Sequence, residues 1–449
     1  MFDPLNSDIE AAAINAFKAA ASCVPAYKQL LTESGCQLDS VKDWETFQKL
    51  PKLSKQNTFR RFNIEDLCRK GTIGSLSSVL TSSGQSGKGN FAFGLNQRDT
   101  NDSAANRIDA LLDILFKVSK KPTLLINCLP MGVKVPTKIC TLAETSVRPD
   151  MVIALVQTFA KHFEQIILVG DAGFVKHVLE LGQENGINWH DITIQVVLGE
   201  EPLAENARIY FEQLLGIDPQ DTETGVVVSS MGVAEIGINI FAEFPPLGLL
   251  TSIRRNLHNN KNLREGICGQ SSAIPSIFTY DPTRHFVEFD TEDNLLITTL
   301  ETDISLPLIR YATGDKGCRL PAAISNLGFR SSLVSTDAIP VIMVSGRGEH
   351  VLADNVPVYP EEIKEGLYKD ISIARFTTAN FRISAESQKA LVRVQLSKGY
   401  ISTSELENRF DQAIRCYTSA QIEVRCESFS QFRDGMNLDY ERKFNYFDH

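Results

Sequence analysis

The sequence lacks a long apolar segment, an excess of basic residues and any Cys-x-x-Cys pair, and each absence narrows the possible functions. No stretch reaches the roughly 18 uninterrupted apolar residues of a membrane span. Lys and Arg number 45 against 55 Asp and Glu, and the net charge of −10 disfavours nucleic acid as a partner, since that demands a basic face. Nine cysteines without paired spacing are typical of reduced thiols. We therefore expect a cytoplasmic protein with neither a membrane span nor a nucleic-acid partner.

The chain is long, and strand and helix patterns alternate along its middle. Its 449 residues, 43% of them hydrophobic, are enough for two or more domains with large cores. Strands and helices alternate in the order strand 123–127, helix 149–162, strand 165–169, helix 171–185, strand 194–198, helix 203–215 and strand 226–228. This alternation predicts an α/β fold in which helices flank a parallel sheet.

Other patterns flank this alternating region. Residues 8–33 carry apolar side chains at helical spacing, and residues 274–320 indicate short strands with tight turns, as in a β subdomain. Beyond Gly346 the pattern restarts as a small α+β block. We therefore predict a large N-terminal domain, residues 1–345, and a small mobile C-terminal lid domain, residues 346–449.

Residues 81–89 have the composition of a phosphate-binding loop. Eight of these nine residues are hydroxylated, glycine or lysine. The glycines let backbone N–H groups turn inward, the serines add hydroxyl donors, and Lys88 supplies positive charge. Short β patterns lie on both sides, so the loop is predicted to join two strands. It is not the P-loop of ATPases, because Gly89 follows the lysine and no helix begins there. A flexible surface turn would have the same composition.

Further candidates follow the predicted strands, where ligands bind in parallel sheets. Strand 194–198 leads into Gly199-Glu200-Glu201-Pro202, and strand 226–228 leads towards Glu235. A carboxylate at the second position could hold Mg²⁺ beside a triphosphate, although an acid at a helix N-terminus would look the same. Asp315 could accept hydrogen bonds from two ribose hydroxyls, and Arg347 offers a cation at the domain change, between two flexible glycines.

In this order along the chain, the segments resemble the motifs of the adenylate-forming ligases, and within them the phenylacetate–CoA ligase-like branch. The loop Ser82-Ser83-Gly84-Gln85-Ser86-Gly87-Lys88 stands for the family's Ser-Ser-Gly-Thr-Thr-Gly-Lys. The other matching segments are Leu50-Pro51-Lys52-Leu53-Ser54-Lys55, Gly199-Glu200-Glu201-Pro202, Met231-Gly232-Val233-Ala234-Glu235, Leu306-Pro307-Leu308-Ile309-Arg310-Tyr311-Ala312-Thr313-Gly314-Asp315, Gly346-Arg347 and Val356-Pro357-Val358-Tyr359-Pro360-Glu361-Glu362-Ile363. The resemblance covers nearly the whole chain.

The resemblance implies an enzyme that activates a carboxylic acid with ATP and passes the acyl group to a thiol, with CoA as the first choice. The implied catalytic residues are Lys88, Glu235, Arg347 and Lys443, with Glu235 as the Mg²⁺ ligand and Lys443 as the lysine that neutralises charge during adenylation. The implied nucleotide-binding residues are Ser82, Ser83, Gly84, Gln85, Ser86 and Gly87 for phosphates, Gly199, Glu200, Glu201, Pro202 and Met231 for adenine, Asp315 for ribose, and Ser230, Gly232 and Arg310 from the same motifs.

The chain departs from the family pattern at several positions. Gln85 replaces a threonine, Met231 replaces the aromatic residue at adenine, and no glycine precedes Lys443. Gly348-Glu349-His350 replaces a doubled acid at the joint, and the spacing of cysteines and histidines predicts no zinc site. Alternatives stay open: a carrier-protein thiol, a cysteine such as Cys416 or Cys426, or an amine as acceptor, or a non-catalytic nucleotide-binding relative. A homodimer is possible.

Overall fold

The computed structural model describes residues 4–82, 91–97, 104–130, 132–243, 248–268, 274–320, 340–386, 388–432, 440 and 443–448. The α-helices are α1 (Pro4–Cys23), α2 (Pro25–Glu33), α3 (Trp44–Phe47), α4 (Ala104–Phe116), α5 (Pro149–Phe159), α6 (Ala172–Glu184), α7 (Glu205–Leu215), α8 (Leu249–Asn259), α9 (Lys261–Cys268), α10 (Pro360–Lys369), α11 (Ile371–Ala374) and α12 (Ser404–Ile414).

The strands are β1 (Leu76–Thr81), β2 (Phe93–Gln97), β3 (Thr123–Asn127), β4 (Thr141–Glu144), β5 (Gln165–Asp171), β6 (Ile194–Gly199), β7 (Gly225–Val233), β8 (Gly237–Ala242), β9 (Ser276–Thr279), β10 (His285–Phe289), β11 (Asn294–Thr299), β12 (Tyr311–Arg319), β13 (Val341–Gly346), β14 (Val351–Ala353), β15 (Val356–Val358), β16 (Thr377–Glu386), β17 (Lys389–Leu396) and β18 (Ile422–Glu427).

The chain forms two compact units, each built from segments that are distant in sequence. The first unit comprises Met1–Ala104, Met231–Ala242 and Ile277–Arg347, and the second comprises Ala105–Ser230, Glu243–Ser276 and Gly348–His449. Within the described segments, no helix combines the length and the apolarity that crossing a membrane requires. The predicted domain boundary after residue 345 and the movement of a C-terminal lid stay predictions.

The second unit contains the predicted parallel sheet. Its strands lie in the order β4-β3-β5-β6-β7 and pair in parallel, with Leu124 opposite Ile166 and Ile166 opposite Ile194. Six of the seven residues of β5 are buried, as expected for a central strand that is covered on both faces. Polar groups at the carboxyl ends of β5 and β6 therefore lie at one edge of this sheet.

The C-terminal part of the second unit is a three-stranded sheet with two long helices. β16 and β17 are antiparallel, β17 and β18 are parallel, and α10 and α12 accompany them. One hydrophobic core contains side chains from α6 and α7 together with side chains from α10. The ring of Tyr368 lies 5.7 Å from that of Tyr210 and 6.2 Å from that of Phe211, measured between centroids. Helix α10 therefore packs closely against the helices of the parallel sheet.

The first unit is mainly antiparallel. β10, β11, β12 and β13 form consecutive antiparallel pairs, which confirms the β subdomain predicted for residues 274–320. Its core combines these strands with the N-terminal helices, and the ring of Trp44 meets that of Phe286 edge-on at 5.0 Å. β1 and β2 form a separate antiparallel pair in this unit.

The predicted fold class is confirmed, but two local predictions were wrong and two helices were not predicted. The single helix expected over residues 8–33 is two helices, because Pro25 cannot continue the first and instead begins the second. The strand predicted at 226–228 continues to Val233, so it does not end at Ser229. Helices α8 and α9 were not predicted, although Leu250, Ile253 and Leu257 lie at helical spacing in α8.

Candidate active site

The predicted phosphate loop joins two paired strands, as the sequence indicated. β1 and β2 are antiparallel, with Thr81 opposite Phe93. Ser82 is buried at the base of the loop: its N–H donates to the carbonyl of Ala92, and its hydroxyl accepts the N–H of Ala92, both at 2.9 Å. Ser82 thus closes the hairpin. The remaining predicted loop residues, Ser83, Gly84, Gln85, Ser86, Gly87 and Lys88, lie outside the described residues.

This hairpin packs directly against the turn that carries Glu235. Gly94 of β2 lies so close to the turn that a Cβ atom on it would come within 2.1 Å of the carbonyl oxygen of Ala234. No L-residue with a side chain fits such an approach without a backbone shift. Glycine at position 94 therefore allows the hairpin of the predicted phosphate loop to contact the segment of the predicted Mg²⁺ ligand.

Glu235 is a buried carboxylate with two donors on one oxygen. It lies in a turn between β7 and β8, so it is not the acid at a helix N-terminus that the alternative interpretation expected. Its Oε1 accepts from the hydroxyl of Tyr311 at 2.9 Å and pairs with the ammonium of Lys55 at 3.0 Å. Burial and the neighbouring Glu235 raise the pKa of Tyr311, which keeps that hydroxyl a donor.

Three motifs that were recognised separately in the sequence meet at Glu235. Lys55 comes from the Leu-Pro-x-x-x-Lys segment, and Tyr311 comes from the Arg-Tyr segment that precedes Asp315. No role was predicted for either side chain, because their contact depends on the tertiary fold. Leu53 pairs with Tyr311 in a parallel bridge, and this brings the two segments together.

Asp315, Arg347 and Arg310 lie in the same unit, with different surroundings. Arg347 Nε lies 3.9 Å from Asp315 Oδ1, so the predicted ribose ligand and the predicted interdomain cation are neighbours. Arg310 is buried: its guanidinium pairs with Glu288 at 2.6 Å and donates to the carbonyls of Gln48 and Leu50. These contacts hold the N-terminal segment in place, and a nucleotide-binding role for Arg310 stays a prediction.

The predicted joint has two glycines in the left-handed conformation that favours glycine. Gly346 and Gly348 have φ angles of +75° and +69°, in the left-handed region that other residues rarely adopt. Arg347 lies between them. Glycine therefore adopts the backbone conformation on both sides of Arg347 with little strain, while the function of this segment as a hinge stays a prediction.

The predicted adenine segment begins with strained backbone at the carboxyl end of β6. Glu200 has a φ of +72°, and the N–H of Glu201 donates to the carbonyl of Gly199 at 2.9 Å, which closes a three-residue turn. Such a conformation costs a residue with a side chain about 1–3 kcal/mol and is often found at functional sites. Pro202 completes the turn and lines the adjoining cavity.

Lys443 contacts this strained turn. Its ammonium donates to the backbone carbonyl of Glu200 at 2.6 Å and lies 3.5 Å from the carboxylate oxygen Oε2 of the same residue. Lys443 and Glu200 are 243 positions apart in the sequence. Two residues that the family resemblance assigned to nucleotide chemistry therefore meet in the second unit.

Glu201 is held by two side chains that the sequence did not reveal. The ammonium of Lys364 lies 2.5 Å from Glu201 Oε2, and the hydroxyl of Tyr446 donates to the same oxygen at 2.7 Å. Burial alone would raise the pKa of Glu201, but Lys364 and Tyr446 outweigh burial and lower it. The carboxylate of Glu201 is thus held between α10 and the C-terminal segment, residues 443–448. No sequence pattern predicted either partner.

These groups surround a cavity of about 850 Å³, including its open mouth, in the second unit. Its wall combines polar and aromatic side chains: Asp171, Glu200, Lys364, Asn380, Tyr440 and Lys443. Asp171 also caps α6 by accepting the N–H groups of Gly173 and Phe174. Burial and the nearby Glu201 raise the pKa of Asp171 to about 6. Asp171 is the last residue of β5, so the rule that ligands bind at strand ends would have found it.

The three remaining candidates belong to β7. Ser230 is buried in the second unit, and a Cβ atom on Gly199 would lie 3.7 Å from its hydroxyl oxygen. Met231 packs at the edge of the core of the first unit, and Gly232 lies against the backbone of Gly237 and Ile238. Ser230 therefore adjoins the strained turn, while contact of Met231 with adenine stays a prediction.

The two cysteines near the C-terminus differ in their access to an acyl group. Cys426 is buried in the core, and burial, followed by the nearby Glu407, raises the pKa of its thiol to about 12. Cys416 is exposed at the end of α12. A thiol must be accessible and ionised to attack an acyl group, so the structure disfavours Cys426 as acceptor.

The surroundings of Glu235 suit a Mg²⁺ ion that would be bound partly by the protein and partly by the phosphates of a nucleotide. In the part of the chain that the structure describes, no group of three or more Cys, His, Asp or Glu side chains is arranged to hold a metal. Mg²⁺ usually takes only one or two protein carboxylates together with water and substrate phosphates. The single carboxylate of Glu235 meets that requirement, although Lys55 already balances its charge.

Comparison with known proteins identifies the fold. No protein-family model and no curated protein matches the sequence. Among solved structures, a 2-hydroxyisobutyryl-CoA ligase in the postadenylation state, in complex with R3-HIB-AMP, aligns with a TM-score of 0.69 and 14% identity over 98% of this chain and 88% of its own. The chain has the fold of this ligase. The same ligase in complex with 2-HIB-AMP and CoA, in the thioesterification state, aligns with a TM-score of 0.51 and 13% identity over 98% and 89% of the two chains.

The likeness confirms the predicted fold of adenylate-forming ligases. At 14% identity it establishes the fold and leaves the residue roles to be tested. The phenylacetate–CoA branch stays a prediction.

Proposed function

We propose that this protein is an AMP-forming acid–thiol ligase. A carboxylate oxygen of the acid attacks the α-phosphorus of ATP, pyrophosphate leaves, and an acyl-adenylate forms. The sulfur of a thiol then attacks the acyl carbon, a thioester forms, and AMP leaves. CoA is our first choice of thiol, and the chemical identity of the acid is open, because the shape of a pocket wall carries no sequence motif.

The contact of Lys443 with Glu200 carries this proposal. Lys443 was assigned to the adenylation step and Glu200 to the adenine segment, and the 2.6 Å hydrogen bond brings them together. An acid carboxylate and a triphosphate repel each other, so the reaction needs a cation where they meet. The carbonyl and carboxylate of Glu200 hold the ammonium of Lys443 beside the strained turn, which suits that task.

The first unit supplies the groups proposed for the phosphates, the metal and the ribose. Lys88 and the loop from Ser82 would hold the β and γ phosphates, Glu235 would hold Mg²⁺, and Asp315 would accept the ribose hydroxyls. When bound, Mg²⁺ would neutralise phosphate charge and orient the triphosphate. The contact between Gly94 and the turn of Glu235 supports these assignments, because it joins the phosphate loop to the predicted metal ligand.

The acceptor is proposed from two observations. The solved ligases include complexes with CoA, which supports CoA as the thiol of this protein. The burial and the raised thiol pKa of Cys426 argue against acyl transfer to that residue. The cytoplasmic location and the homodimer stay predictions.

The experiment that tests the proposal is pyrophosphate release with a panel of carboxylic acids, ATP and MgCl₂. We expect acid-dependent release from the wild-type protein and a fall of about 100-fold or more in Lys443→Ala, Lys88→Ala and Glu235→Ala, because each removes charge stabilisation. Lys117→Ala is the matched control, since this exposed lysine pairs only with the exposed Glu223 in the described structure. Absence of ATP binding by calorimetry with Mg²⁺ would refute the ligase proposal.

A second measurement identifies the acceptor. Mass spectrometry of the products should show an acyl-CoA when CoA is present, and no acyl group on the protein when CoA is absent. Acyl transfer to Cys416 without CoA would replace CoA with a protein thiol in our proposal. An amide product in the presence of an amine would make the protein an amide-forming ligase.

A further inference from the structure

Glu235 has a positively charged neighbour that its proposed role does not require. The ammonium of Lys55 lies 3.0 Å from Glu235 Oε1, and the side chains are 23% and 3% exposed, respectively. Tyr311 donates to the same oxygen at 2.9 Å. The charge of the buried carboxylate is therefore balanced within the protein, before any metal binds.

The backbone fixes Lys55 in this place. Leu53 donates its N–H to the carbonyl of Arg310 at 3.1 Å and accepts the N–H of Ala312 at 2.9 Å. The hydroxyl of Thr58 donates to the carbonyl of Ser54 at 2.5 Å, which folds residues 54–58 into a turn. Lys55 lies in this turn, two residues beyond a bridge to β12. The hydrogen bonds of this segment thus hold the ammonium of Lys55 beside Glu235.

Two cations cannot share a buried carboxylate without strong repulsion. An ammonium and a divalent ion within a few ångströms of each other repel strongly where water is scarce. A metal on Glu235 consequently has to displace the ammonium of Lys55 or bind against its charge. Either way, Lys55 lowers the affinity of Glu235 for a divalent cation.

We propose that Lys55 is a positioning residue that occupies Glu235 in the metal-free protein and sets its affinity for Mg²⁺. This inference rests on the proposed function, because it takes Glu235 to be the Mg²⁺ ligand. Lys55 holds the buried carboxylate in its orientation through the 3.0 Å contact, and it prevents Mg²⁺ from binding tightly before the triphosphate arrives. Loading of the metal is therefore coupled to the nucleotide.

The experiment compares Mg²⁺ binding to metal-free wild type, Lys55→Met and Lys55→Arg by calorimetry, with MgCl₂ alone and with the non-cleavable analogue α,β-methylene-ATP. Methionine keeps an unbranched chain that is one atom shorter and removes the charge, while arginine keeps the charge. We expect the dissociation constant for Mg²⁺ alone to fall about tenfold or more in Lys55→Met, because a repelling charge is removed. In Lys55→Arg it should stay near the wild-type value.

Lys52→Met is the matched control. Lys52 lies on the same segment and pairs with Asp290 at 2.5 Å, so its removal also deletes an ion pair but leaves Glu235 untouched. Its Mg²⁺ affinity should equal that of the wild type. Circular dichroism checks that each variant is folded, and Lys55→Gln replaces Lys55→Met if the latter does not fold.

The outcomes separate this inference from the proposed ligase function. Equal or weaker Mg²⁺ binding in Lys55→Met overturns the inference, and if the wild type still releases pyrophosphate with an acid, the ligase proposal stands. If Lys52→Met also binds Mg²⁺ more tightly, the inference is overturned, because the effect would then come from the net charge of the protein and not from the contact of Lys55 with Glu235. If no variant binds Mg²⁺ with or without the analogue, and no acid releases pyrophosphate, both proposals are overturned.

Discussion

The N-terminus of α7 is capped by a residue from another helix, and this contact allows a sharp test of the packing in the second unit. The N-cap residue Ala204 has no side chain that could accept the first N–H groups of the helix. The carboxylate of Glu365 in α10 accepts them instead, from Glu205 at 2.7 Å and from Asn206 at 3.0 Å. All three of these residues are buried. If Glu365 is replaced, water therefore cannot reach these N–H groups to take the place of the carboxylate.

The expected loss follows from the two N–H groups that would lose their acceptor. Each buried, unsatisfied donor costs about 1–3 kcal/mol, so Glu365→Ala should lower the free energy of unfolding of the second unit by about 2–6 kcal/mol. Glu365→Gln keeps one carbonyl oxygen but loses the negative charge at a helix N-terminus. Its loss should be smaller, about 1–3 kcal/mol, from one weakened hydrogen bond and the helix dipole.

The assay is equilibrium urea unfolding followed by tryptophan fluorescence. The chain has two tryptophans, and Trp189 lies in the second unit with 1% exposure. In a Trp44→Phe background, Trp189 alone reports the unfolding of that unit. Hydrogen exchange at the amides of Glu205 and Asn206 should accelerate in the Glu365 variants, since these amides lose their acceptor.

Glu405→Gln is the matched control. Glu405 also lies in the first turn of a helix, α12, but it is exposed. The same chemical change there should alter the free energy of unfolding by less than about 0.5 kcal/mol. If Glu365→Ala costs less than about 1 kcal/mol, or no more than Glu405→Gln, then Glu365 is not the cap that the geometry describes, and the argument from unsatisfied donors is wrong.

Three further predictions concern single side chains. Tyr446→Phe should lower the free energy of unfolding by about 1–3 kcal/mol, because Glu201 loses a buried donor at 2.7 Å; urea unfolding measures this, and an unchanged midpoint would contradict it. The pKa of Asp171 is raised from 3.8 to about 6, so the folded state binds its proton more tightly and stability falls as the pH rises from about 4 to 6. Asp171→Asn should remove that part of the pH dependence of the unfolding midpoint, and an unchanged profile would show that Asp171 titrates normally. Cys426→Ala should leave acyl transfer to CoA unchanged, and a large loss of product would mean that this buried thiol takes part.

The sequence predicted the fold where its patterns were local and strong. The runs of apolar residues at 165–169 and 194–198 identified parallel strands, and both became buried central strands. The short β patterns on both sides of residues 81–89 also predicted the hairpin that β1 and β2 form. Helices α8 and α9 were missed, although Leu250, Ile253 and Leu257 lie at helical spacing in α8. At Pro25 one apolar pattern is divided into two helices.

The candidate site was predicted residue by residue, without its contacts. Motif order pointed to Glu200, Glu235 and Lys443, because each occupies a fixed place in the family pattern. Lys364 and Tyr446 were not predicted as site residues, since a lysine within a helix and a tyrosine near the C-terminus belong to no local sequence motif. Their role exists only because α10 and the C-terminal segment pack beside the strained turn at Glu200.

The sequence by itself determined which elements form and which residue types are available for phosphate, metal and carboxylate chemistry, because hydrophobic period, glycine spacing and charge are local properties of the chain. Only the tertiary structure decided which charges face each other. Lys55 and Glu235, and likewise Lys364 and Glu201, are more than 150 positions apart in the sequence, and each pair forms an ion pair of 3.0 Å or less only when the chain folds. The preference of a buried carboxylate for a nearby cation is general, but the choice of that cation depends on how the chain folds.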